Sequence, residues 1–90
     1  VTKLIYTESY IKRAKKFARQ HPDIIFQYKK TLELLEINPF HQSLGLHKLK
    51  GKLKKFYSVS INISYRICLD FIIDEDKIIL IDIGNHDYIY

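Results

Sequence analysis

The chain is poor in the residues that build several common kinds of site. Its 90 residues include one cysteine, three glycines and two prolines. A single thiol, Cys68, excludes an internal disulfide and fits a reducing, cytoplasmic setting. With no C-x-x-C and no H-E-x-x-H, the usual zinc ligand spacings are missing. The glycines are not clustered, so there is no glycine-rich phosphate loop. The longest apolar run, Ile78 to Ile81, is strand-sized and far short of the ~20 residues of a membrane span. Nothing near the start reads as a signal peptide, because Tyr6 to Lys16 is polar and amphipathic. No repeat or low-complexity segment is visible.

What is present suits one domain covering residues 1–90. A chain of this length buries only roughly 60–65% of its unfolded surface, and 47% apolar residues suffice for one core. The charge is lopsided. Residues 1–55 hold 13 Lys/Arg against 4 Asp/Glu, and residues 56–90 hold 2 against 6. A basic half of this kind is a footprint for a polyanion or an acidic protein partner. The alternative, a solvated helix face, is preferred for Lys12, Arg13, Lys15, Lys16 and Arg19, since Lys12, Lys16 and Arg19 form one exposed helical stripe.

The hydrophobic period changes along the chain. Lys3 to Thr7 reads as a short strand, with Thr7 or Ser9 as cap of a helix bearing Tyr10, Ala14, Phe17 and Ala18 on one face. His21-Pro22-Asp23 ends that helix and starts a second over residues 22–37, stopped by Asn38-Pro39. The short connection predicts an antiparallel helical hairpin. Phe40 to Leu46 is a loop, and Gly51 marks a turn or bulge. The period then becomes two. In Phe56 to Ile63, Tyr57, Val59, Ile61 and Ile63 share a face. In Tyr65 to Ile73, Tyr65, Ile67, Leu69, Phe71 and Ile73 do. In Lys77 to Ile83, Ile79, Ile81 and Ile83 oppose Ile78, Leu80 and Asp82. The expected fold is α+β: a strand and helical hairpin on one face of a small antiparallel sheet, the other face more polar and open.

Three groups stand out chemically. Arg66 lies mid-strand, pointing away from Ile67 and Leu69; its plain role is an ion pair with Asp70 or Asp82, as good a reading as a functional one. His86 follows Gly84-Asn85 where the alternation ends, and His47 precedes a dense lysine run. Either histidine alone reads by default as a surface residue. Cys68 is a weak nucleophile candidate, since mid-strand cysteines are mostly inert. His21 and His41 sit in loops and receive no role. Lys48, Lys50, Lys52, Lys54 and Lys55 fall within eight residues, and the first four share a face if extended. Such a row can be a protective strand edge. With Tyr57 and Tyr65 nearby it points to nucleic acid, because bases stack on aromatics while the backbone follows charge.

Taken in order, H-K-L-K-G-x-L-x-x-F-Y-S-V-S-I, S-Y-R-I and I-D-I-G-x-H-D-x-I-Y resemble the RelE/ParE superfamily of bacterial toxins, nearest the RelE-like mRNA interferases that include the YafQ type. The resemblance spans essentially the whole chain. It implies a toxin that cuts mRNA in the ribosomal A site without a cofactor or metal, silenced by a cognate antitoxin; the charge of residues 1–55 adds the expectation that an acidic antitoxin segment covers the basic face. The resemblance also implies His47 at a general-base position, Arg66 as the phosphate-stabilising arginine, His86 as the histidine after the last strand and Tyr90 as the terminal aromatic that orients RNA. YafQ-like relatives place a second histidine near Ser60 and an acid near Ser64; other relatives use lysines near Tyr57 and Val59, absent here. Which histidine is base and which acid stays open. Two other readings remain: a ParE-like, non-enzymatic poison of DNA gyrase, and a nucleic-acid-binding module without activity.

Overall fold

A computed structural model describes residues 2–51, 54–72, 75–85 and 89. Strand β1 (Lys3–Tyr6) leads into helix α1 (Glu8–Gln20). Thr7 is the cap: its hydroxyl oxygen accepts from Tyr10 N at 3.2 Å, and its hydroxyl donates to Leu80 O at 2.9 Å. One side chain thus satisfies a helix-end N–H and ties α1 to the sheet. A 3₁₀ turn, Pro22–Ile24, with proline at its start, precedes α2 (Ile25–Ile37). A second 3₁₀ turn, Gln42–Leu44, ends at Gly45 in the left-handed region, φ 56°. Four strands follow: β2 (His47–Lys48), β3 (Tyr57–Ser60), β4 (Tyr65–Ile72) and β5 (Lys77–Asn85).

Among the described residues these strands form one sheet in the order β1-β5-β4-β3-β2. The meander β3-β4-β5 is antiparallel, as the short turns joining its strands predict. The sheet as a whole is mixed, because β1 pairs parallel with β5. The long path through both helices returns the chain beside its starting strand in that sense. Tyr10, Phe17, Ile24 and Leu35 from the helical layer pack on Val59, Ile67, Leu69, Ile78, Leu80 and Ile83. The Tyr10 hydroxyl, in this core, shares a 2.7 Å hydrogen bond with that of Tyr28. A smaller cluster covers part of the opposite face: Leu49, Cys68 and Ile89, with Phe56 and Ile81 against it.

Two expectations of strand phase fail, each for a local reason. Ile63 does not face the core; it is 94% exposed. Strand β3 ends at Ser60 because Asn62 Oδ1 accepts from Ser64 N and Tyr65 N, at 2.8 and 2.9 Å, and so builds the turn itself. In β5, Ile78, Leu80 and Ile83 share the helix-packed core, while Ile81 joins the smaller cluster. Cys68 pairs with Asp82 and Leu69 with Leu80, which leaves Ile81 unopposed in a bulge that shifts the phase by one residue.

Candidate active site

The start of β4 and the edge formed by β2 meet on the sheet face away from the helices. Register sets the geometry. His47 pairs with Ser58, Ser58 with Cys68, and Ser60 with Arg66, so His47, Ser58 and Arg66 project from one face. Arg66 Nε donates to Ser58 Oγ at 2.8 Å, and Arg66 Nη2 donates to Gly45 O at 3.0 Å. Ser58 is fully buried. His47 Nδ1 lies 3.0 Å from the same Gly45 oxygen and 3.3 Å from Arg66 Nη2. One backbone carbonyl therefore gathers an imidazole and a guanidinium. Its position depends on Gly45, whose left-handed backbone resists any side chain.

Two tautomers of His47 are compatible with this arrangement. With the proton on Nδ1, the ring donates to Gly45 O, and Nε2 carries the lone pair. With Nδ1 bare, it accepts from Arg66. The first form gives the stronger geometry, since 3.0 Å lies within the usual N–H···O range and 3.3 Å lies beyond its edge. Burial lowers the Arg66 pKa from its ordinary value. Arginine nonetheless stays charged near neutrality. The pair thus offers a proton acceptor beside a fixed cation.

Of the two acids considered as partners for Arg66, Asp82 is engaged elsewhere: its Oδ1 lies 3.3 Å from Arg13 Nε. Cys68 is buried, and burial first, then Asp82 and Asp70, pushes its thiol up to about 11. It is packing, not a nucleophile.

The lysine run is not one extended ladder. Among its described residues only His47 and Lys48 are strand; Gly51 takes φ 68°, and Lys54 and Lys55 lie in a turn, with Lys54 N donating to Gly51 O at 3.2 Å. Lys48 and Lys50 help line a concavity of about 370 Å³ with His47, Leu49 and Ile89. Lys55 Nζ sits 5.2 Å from the centre of the Phe56 ring. Tyr57 pairs with Lys48 on the helix-packed face. Tyr65 is on that face too, edge-on to Phe17 at 5.2 Å and 4.6 Å from the His21 ring. Both tyrosines therefore lie across the sheet from Arg66. Lys52, His86 and Tyr90 lie outside the described residues. Among the described residues, no three His, Cys, Asp or Glu side chains converge as a metal site requires.

Residue type alone does not single out Ser58 and Gly45. The signal for Ser58 is its parity, two positions from Ser60 opposite Arg66; that for Gly45 is a glycine between two leucines.

No family model matches the sequence, and no curated protein matches it. Solved structures do match. A metal-bound toxin from Helicobacter pylori superposes with a TM-score of 0.78 at 19% identity, over 100% of both chains. YafQ from E. coli strain BL21(DE3) gives 0.78 at 14% identity, over 100% of this chain and 99% of that one. A chain of the YoeB–YefM complex from Staphylococcus aureus gives 0.70 at 18%, over 96% and 98%. The fold is that of the RelE/ParE toxins. At these identities the likeness is one of fold. In that fold β4 supplies Arg66, and the short edge strand β2 supplies His47.

Proposed function

We propose that the chain is the toxin of a toxin–antitoxin pair and acts as a ribosome-dependent mRNA endoribonuclease. The observation that carries this reading is the His47–Gly45–Arg66 constellation, with imidazole and guanidinium 3.3 Å apart on a shared carbonyl. In the proposed reaction the RNA 2′-oxygen attacks the adjacent phosphorus as its proton leaves to an imidazole. The bond to the 5′-oxygen breaks, and that oxygen takes a proton from a second group. A 2′,3′-cyclic phosphate and a 5′-hydroxyl remain. With Nδ1 fixed on Gly45 O, Nε2 of His47 is the natural acceptor for the 2′-hydroxyl proton. His86 is the candidate for the second role. Arg66 meets the extra charge of the phosphorane, and Ser58 and Gly45 hold it in place so that little reorganisation is needed. Tyr90 would orient the RNA, and Lys48 and Lys50 would guide its backbone.

The partner is a cognate antitoxin carrying an acidic segment. Support comes from charge: Lys12, Lys15, Lys16 and Arg19 on α1 and Lys48, Lys50, Lys54 and Lys55 beyond it are all exposed. Rim charges of this kind steer association and make it salt-sensitive. Incubating the protein with programmed ribosomes and mapping 5′-hydroxyl ends on the mRNA tests the reading; cleavage in the A-site codon supports it, and intact mRNA counts against it.

A further inference from the structure

A second concavity, of about 310 Å³, opens on the helix side of the sheet, where the last two turns of α1 pass the ends of β4 and β5. Its lining includes Arg13, Lys16, Gln20, His21, Tyr65 and Asn85. None of these has a part in the His47–Arg66 chemistry. The floor is aromatic. His21 lies 4.8 Å from Phe17 and 4.6 Å from Tyr65, and the Tyr65 hydroxyl is 3.3 Å from His21 Nδ1. The rim is cationic and amidic. Lys16 is exposed, and Arg13 is anchored through Nε by Asp82 at 3.3 Å. Gln20 and Asn85 bring side-chain amides, each both donor and acceptor.

An aromatic surface edged by cations and amides is the complement of a nucleobase carrying a phosphate. The volume is at the lower end of small-ligand sites, which suits one nucleotide. Connectivity adds a second argument. Tyr65 and Arg66 are consecutive in β4, so they serve opposite faces of the same sheet end. Their partners in β5, Asn85 and Gly84, are consecutive as well. A strand lying on Arg66 needs only to pass round this end to reach the cleft.

We propose that this cleft is a second subsite for an unpaired nucleotide of the RNA strand, with the base against Tyr65 and His21 and the phosphate against Arg13 and Lys16. The identity of the strand rests on the function proposed above; nucleotide binding in the cleft does not, and it is measured without cleavage.

The test is titration of the whole protein with adenosine 5′-monophosphate, followed by backbone and aromatic NMR shifts. Shifts at Lys16, Gln20, His21, Tyr65 and Asn85, with a cross-peak between the Tyr65 ring and the base, are expected. Tyr65→Ala weakens binding between about fivefold and a hundredfold, the usual worth of a base–aromatic stack, and Tyr65→Phe retains it. Because Tyr65 is half-buried, Lys16→Glu at an exposed position is the second variant, and it too weakens binding while leaving the fold intact. Shifts confined to the neighbourhood of His47 and Lys50, or unchanged affinity in Lys16→Glu and Tyr65→Ala, overturn the proposal. Cleft binding by a protein that never cuts RNA leaves the subsite standing and removes only the strand's identity.

Discussion

Arg66 Nε donates to the buried hydroxyl of Ser58 at 2.8 Å, a bond across two neighbouring strands that fixes the guanidinium plane. It is a charge-assisted bond inside the protein, the stronger class. Ser58→Ala removes the acceptor and leaves Nε to find water. Single-turnover cleavage is expected to fall about tenfold, with RNA affinity little changed, since a bond to a charged group contributes about 1.5–3 kcal/mol. Equal rates for Ser58→Ala and wild type would show that the Ser58 bond is not needed to position Arg66.

Removing the cation itself should cost more. Arg66→Ala is expected to lower the rate by about 10²–10³, the usual worth of one preorganised donor at a developing oxyanion. Arg66→Lys restores only part of it, because an ammonium cannot engage Ser58 and Gly45 with the planar fork that arginine uses. Circular dichroism should show both variants folded. Full rescue by lysine would mean that charge alone matters.

His47→Ala is expected to lower the rate by about 10²–10⁴, as for a positioned acid or base. The same loss in His86→Ala would identify the second proton-transfer group, and a wild-type rate in His47→Ala would remove His47 from the mechanism.

Much of the architecture is legible in the sequence. The helical periods, a cap at Thr7 or Ser9 and the antiparallel meander follow from spacing, as does the projection of Arg66 from the face opposite Ile67; that the cap is Thr7 comes from the structure. The sheet's parallel pairing is not legible, because β1 is short and nothing in Lys3–Tyr6 names its neighbour. The β5 bulge is hidden because every residue from Ile78 to Ile81 is apolar, and alternation carries no information in such a run. The lysine row shares a face only if extended, and the turn that Gly51 signals in the sequence is there, with its glycine at a positive φ. His47 and Arg66 stand out separately in the sequence; that Gly45 O holds both depends on a left-handed turn between α2 and β2.

Salt dependence tests the basic track. Lys48→Ala and Lys50→Ala should each reduce the slope of log affinity against log salt for single-stranded RNA by roughly 0.7 for every phosphate that the side chain neutralises. An unchanged slope in the double variant would make these lysines a solvated strand edge.

Alkaline stability follows from burial. The Cys68 thiol rises from an ordinary 9.0 to about 11, chiefly through burial and then through Asp82 and Asp70. Between those values the unfolded chain loses the proton while the folded chain keeps it. The stabilisation is therefore complete below about pH 9 and is lost as pH rises through about 11, at up to roughly 1.4 kcal/mol per pH unit. Tyr10, raised by burial and then by Tyr28, adds to the fall at higher pH. In urea titrations Cys68→Ala should start lower in stability but decline less between pH 9 and pH 10. A decline identical to wild type would show that the thiol does not titrate with unfolding.

The most direct test is single-turnover mRNA cleavage on programmed ribosomes by the wild type, His47→Ala and Arg66→Ala, with DNA gyrase supercoiling assayed in parallel. A-site cleavage by the wild type leaving 5′-hydroxyl ends is expected, with a loss of about 10²-fold or more in each variant and gyrase unaffected. A wild type that leaves mRNA intact and inhibits gyrase would contradict the proposed function.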